Sequence, residues 1–337
     1  MNEQMLMNTA LAMVKKGRGI LAADESTPTI GKRFDQIGVD STFETRNEYR
    51  DMLFTASGME DYISGVIMFD ETLRQSSTCD ANIPFIKLLS DKDVLPGIKV
   101  DTGAKDLAGS KDEKITEGID GLRDRLQEYY SLGARFAKWR AVITIGDDIP
   151  SEHCIVANAH ALARYASLCQ ESNIVPIVEP EVLMDGVHTI DKCFDVTNKT
   201  LNCVFDVLKL YNVMLDGIVL KPNMVIPGLD YEKQENVEKV SEMTVKALKE
   251  NVPDSVPGIA FLSGGQSSDD ATAHLNCMNK NHDDMPWNLT FSYGRALQAD
   301  ALKGWGGSDR EKGQSNLLSR AKSNGLASCG NFLNISI

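Results

Sequence analysis

Lys221 follows an apolar run in the segment DGIVLKPNM, residues 216–224. A lysine in such a run is unusual, because lysine is rarely fully buried unless it is paired. A lysine amine becomes a nucleophile when burial or a neighbouring cation brings its pKa from about 10.4 toward about 7–8. The chemistry that suits such an amine is attack on a ketone carbon. The resulting imine acts as an electron sink that lets a neighbouring carbon–carbon bond break.

Charged residues also mark the other apolar runs of the chain. FAKWRAVI carries Lys138 and Arg140, and IVPIVEPEV carries Glu179 and Glu181. Because side chains alternate along a strand, each pair is expected on one face. A lone Lys or Glu at a strand end is usually a solvated loop residue, but the joint pattern favours one shared site. The other polar residues at run ends are Asp24, Ser26, Asp70, Lys99, Ser263, Ser292 and Arg295.

Two glycine-containing segments are candidate phosphate sites. LSGGQS offers a serine hydroxyl and flexible backbone amides. FSYGRA adds Gly294 and Arg295, and the arginine fork can hold phosphate through two hydrogen bonds. Ser26 in DESTPT, together with Lys99, could hold a second phosphate across the same opening. The sequence therefore predicts an anionic ligand with two phosphate groups.

The apolar runs that must position these residues alternate with helical patterns. Their starts are separated by about 30–45 residues, the length of one strand–helix unit. Helical spacing of apolar residues is visible at 118–133, 155–173 and 235–251. The runs lie at 19–23, 63–69, 97–100, 136–143, 174–180, 216–220, 258–264 and 289–294. This pattern predicts an α/β fold, a (β/α)8 TIM barrel with its chemistry at the strand ends. A doubly wound sheet is the alternative, but its GxGxxG turn is missing.

Composition and net charge argue against several classes of protein. A net charge of −13 argues against a general nucleic-acid or membrane-surface binder. No apolar run approaches the roughly 18 residues of a membrane span, and no secretory signal is visible. The seven cysteines form no CxxC pair, and the five histidines show no HExxH spacing, so neither a disulfide framework nor a metal site is expected. We expect one barrel domain over 1–337, with an N-terminal helix and a short C-terminal tail at about 305–337.

Several blocks of the sequence strongly resemble the class I (Schiff-base) fructose-1,6-bisphosphate aldolases. The resemblance runs from about Lys16 to Ser323. The blocks are GILAADEST, GIKVDTG, FAKWRAV, PIVEPEVL, LKPNMV, FLSGGQS and LTFSYGRALQ. The resemblance implies reversible cleavage of fructose 1,6-bisphosphate to dihydroxyacetone phosphate and glyceraldehyde 3-phosphate, without metal or other cofactor. It also implies sugar phosphates as the small-molecule partners and a homo-oligomer, with a tetramer suggested. The odd number of cysteines, none in a CxxC pair, independently favours reduced thiols and a cytoplasmic location.

The resemblance assigns catalytic roles to five residues. Lys221 would form the Schiff base, and Glu179 would act as the general acid and base. Glu181 would tune the charge beside it or hold Lys221 in place. Asp24 would orient or help deprotonate a substrate hydroxyl, and Lys138 would promote imine formation.

The resemblance also indicates which residues would bind each end of the substrate. Arg140 and Lys99 would hold a substrate hydroxyl or the 6-phosphate, with Ser26 near that phosphate. The residues expected at the 1-phosphate and its surroundings are Ser263, Gly264, Ser292, Gly294 and Arg295.

Three departures from the family pattern matter. Pro28 and Thr29 replace a common glycine and serine, and proline stiffens the loop and removes an N–H. Thr102 stands where a lysine is common. The chain ends in CGNFLNISI and its last tyrosine is Tyr293, so a tail tyrosine cannot act here, and enamine protonation is expected to be slower or to use another donor.

Two other functions stay open from the sequence. A transaldolase-like transferase or a relative with an altered substrate would share the lysine and differ in acceptor. A scaffold protein that has lost turnover is disfavoured, because the residues that the chemistry needs are all present.

Overall fold

Eight parallel strands close into a barrel in the computed structural model, which describes residues 1–79 and 82–333. Neighbours around the barrel follow chain order, and the last strand pairs with the first. The strands are β1 (Gly19–Ala23), β2 (Ile63–Met68), β3 (Leu95–Lys99), β6 (Phe136–Ile143), β7 (Val175–Val182), β8 (Val219–Leu220), β9 (Gly258–Phe261) and β10 (Asn288–Tyr293). The short strands β4 (Ala104–Asp106) and β5 (Lys114–Thr116) form a separate antiparallel pair. The predicted (β/α)8 barrel is confirmed.

Helices connect the strands and surround the barrel. Most of the long ones begin at a side-chain cap; for example, Ser151 and Thr189 accept from the amides of Cys154 and Lys192. The helices are α1 (Glu3–Met13), α2 (Thr27–Asp35), α3 (Phe43–Phe54), α4 (Asp70–Leu73), α5 (Phe85–Asp91), α6 (Leu122–Leu132), α7 (Glu152–Glu171), α8 (Ile190–Leu210), α9 (Val237–Asn251), α10 (Ser268–Asn281), α11 (Arg295–Trp305) and α12 (Arg310–Ala327).

The barrel interior is apolar at one end and charged at the other. Along β7 the inward positions read Val175, Ile177, Glu179 and Glu181, because every second side chain shares a face. The lower positions join an apolar cluster to which helix α1 contributes Leu6, Ala10 and Met13. The charged positions therefore lie above a closed apolar floor, at the carboxyl ends of the strands.

Phe136 fills the lower interior and requires a glycine on the neighbouring strand. A Cβ atom at Gly97 would collide with the ring of Phe136, and one at Gly65 would lie 2.9 Å from it. Overpacking of this kind is destabilising. The glycines of β2 and β3 therefore leave space for a large side chain rather than marking a turn.

The structure differs from the sequence expectation at β8 and at the C-terminal end. The run 216–220 is partly a 3₁₀ turn at Leu215–Gly217, and the strand ends before Lys221 and Pro222, since proline cannot donate to a sheet ladder. Residues 310–327, expected as part of a tail, form α12. Its first residue, Arg310, donates to the fully buried Asp51 at 3.1 Å. Residues 334–337, on which the expectation about the tail partly rests, lie outside the described residues.

None of the helices in the described ranges 1–79 and 82–333 is long and apolar enough to cross a membrane.

Candidate active site

Lys221 lies at the carboxyl end of β8, and the register of the barrel sets its height. Leu220 pairs with Val178, so the next residues along the two strands, Lys221 and Glu179, lie side by side. The Lys221 amide donates to the carbonyl of Val178 at 2.8 Å, which extends the ladder by one bond. The lysine is 3% exposed. A buried amine is thus placed next to a carboxylate by strand pairing alone.

Four charged side chains form a continuous chain in the centre of the barrel mouth. Nζ of Lys221 lies 3.1 Å from Oε1 of Glu179, and Oε2 of Glu179 lies 3.3 Å from Nζ of Lys138. Nζ of Lys138 also donates to Oδ2 of Asp24 at 2.9 Å. The signs alternate from Lys221 to Asp24. Each buried charge therefore has an opposite charge beside it, which buried ionic groups require.

The charge states of these side chains follow from two opposing effects: burial disfavours the charged form, and neighbouring opposite charges favour it. Burial would raise the pKa of Glu179, but the cations of Lys138, Lys221 and Arg140 outweigh it and hold that pKa below its usual range. The same balance, led by Lys138, holds the pKa of Asp24 well below its usual value. Burial would lower the pKa of Lys138, but Asp24 and Glu179 raise it. Glu179 and Asp24 are therefore ionised at neutral pH, and both can accept a proton.

Glu181 pairs with Arg140 and not with Lys221. The Nε atom of Arg140 donates to Oε2 of Glu181 across the β6–β7 pair. The Arg140 side chain is 42% exposed, whereas that of Glu181 is 7% exposed. Burial would lower the pKa of Arg140, but Glu181 and Glu179 raise it. Glu181 thus holds a cation at the rim of the cavity.

The segments after β9 and β10 meet on one side of the mouth. Gly264 has a left-handed backbone with φ of +55°, and its carbonyl accepts from the guanidinium of Arg295. Ser292 is buried at the end of β10 and its hydroxyl has no hydrogen-bond partner among the described residues. A Cβ atom at Gly294 would lie 4.0 Å from the guanidinium of Arg33. Backbone amides, a hydroxyl and two guanidinium groups therefore converge here.

Arg33 is the main site residue that sequence reasoning missed. It lies on α2 and forms an ion pair with the buried Glu25, which also accepts from Arg50 at 2.6 Å. The amide of Gln298 donates to Glu25 as well, at 2.9 Å. The available signal was its position seven residues after Ser26, which places both on one face of a helix.

Lys99, the last residue of β3, lies across the mouth from β9, and Ser26 follows β1, which pairs with β10. Ser26 is the N-cap of α2, and its hydroxyl lies 3.0 Å from that of Thr29. Pro28 occupies the first turn of this helix, where a missing N–H costs little. Nζ of Lys99 lies 3.6 Å from Asp101. The proline that departs from the family pattern is therefore accommodated by the helix start.

All these groups line one open cavity of about 250 Å³. Every candidate catalytic and substrate-binding residue from the family resemblance lies on its wall. Asp70 does not; it accepts from Arg74 and Tyr129 elsewhere on the barrel. The lining cations are Arg33, Lys99, Lys138, Arg140, Lys221 and Arg295. They make the cavity a site for an anion in a protein whose net charge is −13.

The described residues contain no group of three or more His, Cys, Asp or Glu side chains that could hold a metal ion. The cavity itself contributes carboxylates, but each faces a lysine or an arginine. The ionisable groups that line the cavity are lysine amines, arginine guanidinium groups and carboxylates.

Comparison with known proteins gives one consistent result. Residues 5–336 match the sequence model of the family described as class-I fructose-bisphosphate aldolase. A probable fructose-bisphosphate aldolase class 1 of Xylella fastidiosa is 55% identical over 98% of this chain and 99% of its own length. The cytosolic fructose-bisphosphate aldolase 4 of Arabidopsis thaliana is 51% identical over 94% of this chain and 80% of its own. The solved aldolase of Plasmodium falciparum, in complex with TRAP and a small-molecule inhibitor, superimposes with a TM-score of 0.96 at 47% identity, covering 98% of this chain and 96% of its own.

Proposed function

Because the chain belongs to the class-I fructose-bisphosphate aldolase family, we propose that it cleaves fructose 1,6-bisphosphate through an imine on Lys221. The reaction is a lyase reaction that runs in both directions between the hexose bisphosphate and two triose phosphates. The observation that carries the proposal is the contact of 3.1 Å between Nζ of Lys221 and Oε1 of Glu179. A buried amine with a base at hydrogen-bond distance has the geometry that a nucleophilic lysine needs.

Imine formation uses Glu179 twice. Its carboxylate takes a proton from the Lys221 ammonium, and the neutral amine then attacks C2 of the substrate ketone. The protonated Glu179 returns the proton to the carbinolamine hydroxyl, which leaves as water. Lys138, 3.3 Å from the other carboxylate oxygen, stabilises the ionised form of Glu179 before the first transfer and after the second.

Carbon–carbon cleavage then draws electrons into the iminium group. The C4 hydroxyl loses its proton to Glu179, the C3–C4 bond breaks, and the aldehyde leaves. Asp24 is ionised and held at 2.9 Å by Lys138, so it can orient a substrate hydroxyl during this step. The enamine that remains takes a proton at C3, and water releases dihydroxyacetone phosphate from Lys221.

The two phosphates are assigned to opposite sides of the mouth. We assign the 1-phosphate to the side where the Gly264 turn, Ser292, Gly294, Arg295 and Arg33 converge. The 6-phosphate belongs to Lys99, Ser26 and the exposed part of Arg140. Ser263 lies at the start of the same turn as Gly264 and is 5% exposed. This assignment gives every cation of the cavity rim a ligand.

Borohydride trapping tests the proposal. The enzyme is incubated with dihydroxyacetone phosphate, reduced, digested and examined by mass spectrometry. We expect a triose-phosphate adduct on Lys221 and none in Lys221→Met, whose cleavage activity should fall to background. Lys87→Met is the control, because Lys87 lies 62% exposed in a surface ion pair. An adduct on another lysine, or full cleavage by Lys221→Met, would refute the assignment.

We further propose that the whole chain acts as one barrel domain in a cytosolic homo-oligomer. The cytosolic names of the plant relatives and membership of the family support this proposal. Light scattering on the purified protein separates a monomer from a dimer or tetramer.

A further inference from the structure

The turn Ser263–Gly265 rests on the side chain of Met184. The Gly265 amide donates to the Met184 sulfur at 2.8 Å. A Cβ atom at Gly264 would collide with the Met184 methyl group and would lie 2.8 Å from its sulfur. Met184 is 3% exposed and follows the last residue of β7 by two positions. One buried thioether therefore supports both glycines of the turn.

Several other polar groups of this turn are also occupied. The Ser263 carbonyl accepts from the Gln266 amide at 3.1 Å and from its side chain at 3.3 Å. The Gly264 carbonyl accepts from Arg295, and the Gly265 amide is used by the sulfur. Within the described part of the chain, the backbone amides of Ser263 and Gly264 donate to no protein acceptor. Both amides therefore remain as donors for a ligand, and that of Gly264 belongs to the residue that Met184 supports.

We propose that Met184 is a positioning residue for phosphate binding, which holds the turn so that the Gly264 amide is ready for the 1-phosphate. The proposal rests on the proposed function. A thioether supplies a flexible apolar contact and a weak acceptor, which suits a glycine turn that has no side chains of its own to anchor it. A donor that is fixed before the ligand arrives reduces the entropy lost on binding.

The same residue joins the turn to the catalytic strand. Met184 lies five residues after Glu179, and its carbonyl accepts from the Leu229 amide at 2.8 Å. A Cβ atom at Gly265 would lie 2.5 Å from a methyl carbon of Leu229, so this side chain packs against the turn as well. The phosphate turn is thus fixed relative to β7 and to the segment that follows Lys221, so that the substrate phosphate and the reacting amine have a set separation.

Two substitutions separate the sulfur contact from the apolar support. Met184→Leu keeps most of the volume and removes the acceptor, and Met184→Ala removes both. We expect the KM for fructose 1,6-bisphosphate to rise about threefold in Met184→Leu and about tenfold in Met184→Ala, with kcat within about twofold of the parent. Competitive inhibition by inorganic phosphate should weaken in the same order. Met243→Leu, a buried methionine on α9, is the matched control and should change neither constant.

Unchanged KM and phosphate inhibition in both variants would overturn the proposal. So would a loss of kcat at constant KM, because that pattern places Met184 in the chemical step. If Met184→Ala does not fold, the Met184→Leu values decide. Borohydride trapping of Lys221 at saturating substrate must persist in the Met184 variants. If the parent enzyme gave no adduct on Lys221, the proposed function would be refuted. The phosphate inhibition would still test the role of Met184 in the turn.

Discussion

Oε1 of Glu179 lies 3.1 Å from Nζ of Lys221, and both side chains are 4% exposed. The second oxygen of Glu179 faces Lys138 at 3.3 Å. One ionised carboxylate thus serves two buried cations. This arrangement supports the proposed roles of Glu179 as the base for Lys221 and of Lys138 as the group that keeps that base ionised.

Replacing Glu179 by glutamine should remove proton transfer and leave the shape of the site. We expect kcat for cleavage to fall by about 10²–10⁴, with a smaller change in KM, in a steady-state assay coupled to triose phosphate detection. Glu181→Gln is the matched control, since Glu181 pairs with Arg140 at the rim. Equal losses of kcat in the two variants would contradict the role given to Glu179.

Glu25→Gln should destabilise the fold as well as the phosphate site. Glu25 is buried between Arg33 and Arg50, and loss of its charge leaves the buried Arg50 cation without compensation. The expected loss is about 3–5 kcal/mol in the free energy of unfolding, from urea denaturation at neutral pH. In the matched variant Asp91→Asn, the exposed pair with Lys87 is broken at a cost of at most about 1 kcal/mol. Similar losses in both would show that Glu25 is not a structural anchor.

His274 should make stability depend on pH between about 6.5 and 4. Burial lowers its pKa to about 4, against a weaker opposing effect of Asp270. Between these pH values His274 is protonated in the unfolded chain and neutral in the folded protein, so the free energy of unfolding falls as the pH falls. The shift corresponds to about 3 kcal/mol.

Urea denaturation at pH 7 and at pH 4.5 measures this effect. Carboxylates with lowered pKa values also lose stability in acid, so the comparison is between variants at the same pH. His274→Gln should have a smaller pH dependence than the parent, whereas the exposed His153→Gln should keep the parent's slope. The same slope in all three proteins would show that another group is responsible.

Gly264→Ala should weaken substrate binding by two effects. The backbone at φ +55° costs about 1–2 kcal/mol for a residue with a Cβ atom, and that atom also meets Met184. Gly38→Ala has a similar φ of +69° and open space around the Cβ position, so it measures the backbone effect alone. We expect KM for fructose 1,6-bisphosphate to rise about tenfold or more in Gly264→Ala and to stay at the parent value in Gly38→Ala. A parental KM in both would remove the turn from the phosphate site.

The alternation of apolar runs and helical patterns was enough to predict the barrel, because burial and side-chain periodicity are local properties of the chain. The same periodicity placed Lys138 with Arg140 and Glu179 with Glu181 on inward faces, and all four line the cavity. The apolar run before Lys221 also indicated a buried amine, and that lysine is buried.

Only the tertiary structure decided which side chains of the site contact each other. Glu179 faces Lys221 because Leu220 pairs with Val178, and the sequence of neither strand alone determines this register. Arg33 reaches the phosphate side through Glu25 and helix α2, and Met184 meets Gly265 from a position 81 residues away. Ion pairing falls off with distance in space, and in a barrel that distance is set by how strands far apart in the chain are paired and staggered. The sequence by itself determined which chemical groups stand at the strand ends; the closed barrel determined which of them touch.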